Sequence, residues 1–278
     1  MKISILGNGF VGRATNQFSS DIYVFDINNE LCIPIGLKLE HIYDSDIIFV
    51  CLPTPMNKDG SVHLDIVENM VKKLKNNVHE NCSIIIRSTV PPGTCDELDV
   101  FFMPEFLTEK NYLNDFINNK FWILGKPQSA NNIQIKNITN LIKNAKINQQ
   151  IKYDAINILN NKEAEMLKYF KNNFLAVKVS FCNEIYSFCR EKNIDYDKVI
   201  SHVCLDDRIT NSHTSVPGHD GKYGFGGTCF PKDCHGLLAE FNKINLKSYV
   251  LQSAITRNET VDRKEQDWKN DKGRAVVD

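Results

Sequence analysis

The chain opens with KISIL, Lys2–Leu6, and runs directly into GNGFVG, Gly7–Gly12. A short apolar strand followed at once by GxGxxG and a helical stretch constrains the fold more than anything else in the 278 residues. Three glycines at that spacing answer three steric demands. Gly7 permits a tight turn, Gly9 lets backbone approach a pyrophosphate, and Gly12 lets the helix sit close to the sheet, with Phe10 and Val11 carried in the same turn. The next apolar run, IYVF (Ile22–Phe25), ends at Asp26. A carboxylate at that place accepts a bond from a ribose hydroxyl and repels a 2′-phosphate, so the expected cofactor is NAD and not NADP.

The first half continues the alternation. IIFVCL (Ile47–Leu52), SIII (Ser83–Ile86), VFFM (Val100–Met103) and FWILG (Phe121–Gly125) read as strands, apolar nearly throughout. Such runs suit parallel strands covered on both faces, with helices expected over 66–74 and 131–144. The expected fold class is α/β: a Rossmann-like, doubly wound parallel sheet over residues 1–155, followed by an α-helical domain over 156–278. The interval from Asp26 to Ile47 leaves little room for the usual helix and third strand, which predicts a trimmed adenine side. In the second half one helix spans 162–192. Leu167, Phe170, Phe174, Val177, Phe181, Ile185 and Phe188 recur along it at steps of three and four, a stripe that must pack against something. Helices are also expected over 197–203 and 233–242. The polar segment Ser212–Tyr223 reads as a flexible insert, and the charged tail 262–272 as solvated.

A formal net charge of -1 gives no pull toward nucleic acid or an anionic membrane. No apolar run approaches the ~18 residues that span a bilayer, and the N-terminus has no signal-peptide pattern. Nine scattered cysteines, an odd number without a CxxC pair, point to reduced thiols and a cytoplasmic location. Cys229, Cys234 and His235 lack a second half-site, so no metal is expected.

GFGGTCFPKD, Gly224–Asp233, sets Cys229 behind three glycines and ahead of Pro231, Lys232 and Asp233. The glycines leave room for a ligand, and Pro231 suits the first turn of a helix. Cys229 then stands at a helix N-terminus with a lysine beside it, and both features stabilise a thiolate. Lys168 and Asn172, four apart on the long helix, share a face.

The segment closely resembles the catalytic-cysteine motif of the UDP-glucose/GDP-mannose dehydrogenase family. LPTP (Leu52–Pro55), STVPPGT (Ser88–Thr94), PEFLTE (Pro104–Glu109), AEMLKYFKNNFLAVKVSFCNEI (Ala164–Ile185) and DDRI (Asp206–Ile209) resemble the family's other motifs, in the same order. The resemblance implies NAD-dependent oxidation of a nucleotide-sugar C6 alcohol to the carboxylate, with UDP-glucose to UDP-glucuronate as the default. GDP-mannose or a UDP-N-acetylhexosamine is the alternative substrate. A non-catalytic NAD- or sugar-nucleotide-binding subunit and a simple two-electron alcohol dehydrogenase are readings of other kinds. The resemblance gives Cys229 a thiohemiacetal and then a thioester, Lys168 and Asn172 the oxyanion, Asp233 a proton transfer through water, and Thr89 and Glu105 the hydrolytic water. It places Thr54, Thr89, Glu109 and Lys232 against NAD. It places Glu105, Phe106, Leu107, Glu109, Lys168 and Asn172, and further along Arg208, Phe225 and Gly226, against the sugar nucleotide. It also implies a homodimer through helix 162–192, which makes the second domain one for dimerisation as well as catalysis. A further domain that closes over the nucleotide in family members is expected to be absent.

Overall fold

Seven strands form one sheet in the computed structural model, which describes residues 1–277. They are β1 (Ile3–Leu6), β2 (Tyr23–Phe25), β3 (Ile47–Val50), β4 (Ser83–Ile86), β5 (Phe101–Phe102), β6 (Trp122–Lys126) and β7 (Ile156–Asn160). Their order across the sheet is β2-β1-β3-β4-β5-β6-β7, parallel throughout except where β6 runs against β5. Every residue of β1, β3 and β4 is buried, because helices cover both faces. The period of two sends alternate side chains to opposite cores. Ile3, Ile5, Ile47, Phe49 and Ile85 join Phe18, Phe116 and Trp122 on one face. Leu6, Ile48, Val50, Ile84 and Ile86 meet Val67, Val71 and Leu74 on the other. The first face is closed by aromatic packing, with Phe18 at 4.8 Å from both Phe116 and Trp122. Each fully buried side chain of this kind contributes about 1.5–3 kcal/mol.

Helix α1 (Phe10–Thr15) follows β1, and α2 (Asp65–Lys75), α3 (Thr94–Glu97), α4 (Tyr112–Ile117) and α5 (Asn132–Ile147) follow in chain order. Between β2 and β3 the chain makes only two 3-10 turns, Asn29–Leu31 and Leu39–Ile42. No helix and no further sheet strand fill that interval, as its length predicts.

Helix α6 (Asn161–Glu191) has 31 residues and measures ~46 Å at 1.5 Å per residue. It is followed by α7 (Tyr196–Val203), α8 (Phe230–Lys243) and α9 (Tyr249–Arg257). The chain divides into two compact units. The first comprises Met1–Thr54 with Leu64–Lys168; the second comprises Pro55–His63 with the chain from Tyr169 onward. The division falls inside α6. The core of the second unit gathers Tyr169, Ala176, Phe225, Cys234, Leu237 and Leu251. Its short outlying piece is tied in by backbone bonds: Met56 N–H donates to Ala275 O and Val277 N–H to Met56 O, both at 2.9 Å.

Two expectations are corrected, those of the tail and of the polar insert. The phenylalanines of α6 are not covered within the chain: Phe170, Phe174, Phe181 and Phe188 are 57–65% exposed, and Phe170 stacks on Phe174 with rings 6.2 Å apart. The buried side of α6 mixes apolar Ala164, Tyr169, Ala176, Cys182 and Cys189 with polar Asn161, Glu165, Lys168, Asn172, Asn173 and Asn183. The tail 262–272 is not solvated as a whole either. Arg263 and Trp268 are buried there, the arginine because Asp220 and Asp267 neutralise it. The polar insert is likewise pinned, since Tyr196 Oη donates to Thr214 O at 2.7 Å and Val216 is buried.

Glu165 shows what the polar side of α6 does. Its Oε2 accepts from Gly93 N–H at 2.5 Å and its Oε1 from Cys95 N–H at 2.8 Å, which fixes the STVPPGT loop at the start of α3. Burial raises this carboxyl from an ordinary 4.5 to about 7, against the lowering effect of the two N–H donors. A carboxyl whose folded value is raised binds its proton more tightly when folded. Its contribution to stability is therefore full below about 4.5 and lost as pH rises through about 7. Glu165→Gln removes this dependence. Denaturant unfolding between pH 5 and 8 should show wild type losing roughly 3 kcal/mol more than the variant over that window; parallel profiles would contradict the assignment.

Candidate active site

In the first unit the turn after β1 has the shape its glycines predict. Gly7 sits at φ +88°, and a Cβ there would lie 2.5 Å from Cys51 O. A Cβ on Gly12 would lie 1.9 Å from Gly7 O, whereas nothing stands within 4 Å of one on Gly9. Backbone packs tightly on two sides and leaves the middle glycine open, the cradle a pyrophosphate needs. Phe10 and Val11 follow half-buried. Asp26 lies at the end of β2, where its Oδ2 accepts from Asn8 N–H at 2.7 Å and its Oδ1 from Asn28 N–H at 2.9 Å. These bonds orient the carboxylate beside the turn and leave lone pairs for a ribose hydroxyl. The residues present fit NAD.

The loops after β3 and β4 are joined by Thr54 Oγ1, which donates to Thr89 O at 2.9 Å. Both threonines are buried. The loop after β5 carries Glu105, whose Oε2 accepts from Leu107 N–H at 2.8 Å in a local turn. Lys168 reaches it from α6, donating to Glu105 Oε1 at 2.7 Å and to its carbonyl at 2.6 Å. The ammonium also lies 5.5 Å from the centre of the Phe106 ring. Lys168 and Glu105 are 3% and 6% exposed, so the pair is desolvated and each charge depends on the other. The reading of Lys168 as a functional lysine thus meets a buried, charge-paired group and not a solvated helix lysine. Glu109 is exposed at the outer part of the same loop.

In the second unit Cys229 is the N-cap of α8, with Pro231 in the first turn. Among the cysteines its setting is distinctive. Burial pushes the thiols of Cys51 to about 11 and Cys82 to about 12, and raises those of Cys95, Cys182 and Cys234. These thiols lie in the core or, for half-buried Cys51, are packed against it. Cys204 closes α7 at its C-terminal end, where the helix dipole is negative. Half-buried Cys229 stands instead at the positive end of a 14-residue helix, the position that favours a thiolate. No disulfide occurs among the described residues.

Asp233, one turn along α8, is 1% exposed and accepts from Asn172 Nδ2 at 2.6 Å and from Lys232 Nζ at 2.7 Å. Asn173 Nδ2 adds a bond to Asp233 O at 3.3 Å. Asn172 from α6 therefore joins Lys232 and Asp233, in the first turn of the helix that Cys229 begins, in one buried, hydrogen-bonded group. Ahead of it, Gly224 and Gly227 have φ of +67° and +72°. Phe225 buries its ring in the core of the unit, so its contribution to a site comes through the shape of the loop. Arg208 is exposed, and its backbone N–H, Nε and Nη2 all donate to the Asp206 carboxylate.

Residues 37–145 match the model of the UDP-glucose/GDP-mannose dehydrogenase family NAD binding domain, and residues 162–260 match that of its central domain. The chain belongs to that family. The chain is 28% identical over 304 aligned positions to the UDP-glucose 6-dehydrogenase of Rickettsia prowazekii, an alignment that takes in 93% of this chain and 67% of the relative. The structure of a UDP-glucose dehydrogenase from the hyperthermophilic archaeon Pyrobaculum islandicum superposes with a TM-score of 0.79 at 24% identity, covering 93% of this chain and 68% of that one. A GDP-mannose dehydrogenase from Pseudomonas aeruginosa superposes at 0.65 with 23% identity, over 96% and 69%. The chain thus spans about two thirds of each of these relatives. The family's cofactor is NAD, in keeping with the glycine turn and Asp26.

Among the described residues no helix is long and apolar enough to cross a membrane, and no cluster of three or more metal-ligating side chains occurs. The motifs give no role to Asn183, which lies within the Ala164–Ile185 motif, and do not reach Asn258 or Arg263. All three are buried, and all three touch the glycine loop ahead of Cys229. Their signal is not local: each lies more than 30 residues from the loop it serves.

Proposed function

We propose that the chain is an NAD-dependent nucleotide-sugar 6-dehydrogenase that oxidises a C6 alcohol to the carboxylate in two steps, with UDP-glucose as substrate. The observation that carries this reading is Cys229 at the N-terminus of α8, one turn before the buried Asp233–Asn172 bond. The turn of Gly7, Gly9 and Gly12, with Asp26 and the Thr54–Thr89 loops, would hold NAD, which supplies the hydride acceptor for both oxidations. Lys232 and Glu109 are further candidates for that contact.

The rest of the chemistry belongs to the chain. The first oxidation leaves an aldehyde at C6. Cys229 Sγ adds to that carbon, the thiol proton leaves and the carbonyl oxygen is protonated, giving a thiohemiacetal. Held by its C–S bond, the carbon keeps the orientation it needs to be oxidised again, where a free hydrate would drift. Lys168 Nζ and Asn172 Nδ2 are donors for the negative charge that develops on the oxygen. Asp233 moves the proton through a water molecule. The second oxidation produces a thioester, and water positioned by Thr89 and Glu105 cleaves it, returning the thiol and releasing the acid. Arg208, Phe106, Leu107 and the loop at Phe225 and Gly226 complete the sugar-nucleotide contacts. GDP-mannose or a UDP-N-acetylhexosamine is the alternative substrate. Nine cysteines without a disulfide suit a reducing, cytoplasmic compartment.

The protein should release two NADH for each UDP-glucuronate formed from UDP-glucose. Cys229→Ser should make no acid. One NADH per sugar, or full four-electron oxidation by the variant, would contradict the mechanism.

The reading includes a homodimer through α6. The support is the exposed row of Phe170, Phe174, Phe181 and Phe188, an apolar face that water disfavours and a second copy of the same helix can cover. Sedimentation should give a dimer for wild type and a monomer for Phe174→Glu/Phe181→Glu. A monomeric wild type, or a dimer unaffected by both charges, would refute it.

A further inference from the structure

Two side chains that no step above uses close the glycine loop in front of Cys229. Asn258 follows α9 and is 1% exposed. Its Oδ1 accepts from Phe225 N–H at 2.8 Å, and its Nδ2 donates to Phe225 O at 2.9 Å. One amide thus takes both polar groups of one backbone residue, as a neighbouring strand would. Arg263 lies against the next residue. A Cβ on Gly226 would stand 2.3 Å from its Cζ and 2.5 Å from its Nη2. The guanidinium cannot move aside freely. It donates from Nε and Nη2 to the two oxygens of Asp267 at 2.7 and 2.8 Å, and its Nη1 pairs with Asp220 Oδ2 at 2.7 Å. Asp267 is held well below the usual carboxylate range, first by its bonds to Arg263. Asn183 Oδ1 adds a third hold by accepting from Gly224 N–H at 3.1 Å.

The glycines explain why such a hold is needed. Gly224 and Gly227 adopt left-handed backbone, and a chain of three glycines in four residues has more freedom to lose than any other sequence. The same neighbours also explain why glycine is required. A Cβ on Gly224 would approach Asn258 Oδ1 to 2.2 Å. Loop and clamp therefore specify each other. Cys229 begins two residues after Gly227, so the direction in which its Sγ points is set by where residues 224–227 are held.

We propose that Asn258 and Arg263 are positioning residues for Cys229, clamping the glycine loop at Phe225 and Gly226 so that the sulfur meets the substrate carbon in a single orientation. The inference rests on Cys229 being the nucleophile. A nucleophile displaced by even an ångström loses much of its advantage, so the effect belongs in the rate of the chemical step and not in cofactor affinity.

The test uses the full chain with Asn258→Asp, which keeps an acceptor for Phe225 N–H and loses the donor to Phe225 O. Arg263→Lys keeps the charge and loses the flat fork. Gly226→Ala attacks the clamp from the loop side and supplies the comparison if either of the others fails to fold. Alkylation of Cys229 by iodoacetamide is followed by peptide mass, with Cys229→Ser as blank. NADH affinity, read by fluorescence, reports on the first unit. In each folded variant the half-buried thiol should alkylate about fivefold faster while kcat falls about tenfold, with NADH affinity and KM for NAD within about twofold of wild type. A change in melting temperature alone, with alkylation rate and kcat per folded molecule unchanged, would overturn the proposal, as would a parallel fall in alkylation and NADH affinity. The alkylation arm needs no substrate. If wild type turned over no sugar nucleotide, the functional reading would fail while the clamp was still decided.

Discussion

The polar side of α6 is the constraint around which the chain is organised. A helix of 31 residues that turned its phenylalanines inward would need only apolar partners. This one buries asparagine, glutamate, lysine and serine, and each buried polar atom must find a hydrogen bond or cost a few kcal/mol. In the first unit Asn161 meets Asp96 and the Val100 carbonyl, Glu165 meets the amides of Gly93 and Cys95, and Lys168 meets Glu105. In the second unit Asn172 and Asn173 meet Asp233, and Asn183 meets Gly224. Every partner lies on a loop or at a helix start. These bonds fix the segments that carry the candidate chemistry, while Asn161 Oδ1 and Asn173 Oδ1 stay buried without a hydrogen-bond partner.

Much of this was legible in the sequence. Near-continuous Ile and Val runs mark β1, β3 and β4 because those strands are covered on both faces, and α6 is bounded to within one residue by the absence of proline and glycine. The glycine turn and Asp26 are legible because their demands are local. Three features were not. β7, INILN, places asparagines between its apolar residues on an edge strand, and so reads as part of a polar linker. The phenylalanine period of α6 shows that a face is apolar without showing whether this chain or another molecule covers it. The tail at Arg263 looks solvated because its charges are counted one by one, while Asp220 and Asp267 cancel the arginine only in three dimensions.

The sequence also says little about why GFGGTCFPKD needs its glycines. Room for a ligand is one reason. The structure adds another: Asn258 and Arg263 occupy the space that side chains at Gly224 and Gly226 would fill. The loop is thin because its own chain grips it from both sides. Cys229 differs from the buried thiols in the same economy of placement. Burial raises and silences Cys51, Cys82, Cys95 and Cys234, while Cys229 is left half-open at the positive end of α8.

The central claim is that the carbon undergoing oxidation is carried on the sulfur of Cys229. Quenching the protein with acid during the first turnovers on UDP-glucose and NAD, followed by peptide mass mapping, tests it directly. The account predicts an acyl adduct of UDP-glucuronate on the peptide containing Cys229, released by neutral hydroxylamine. Formation of the acid with Cys229 unmodified throughout, or with the adduct on another residue, would contradict it.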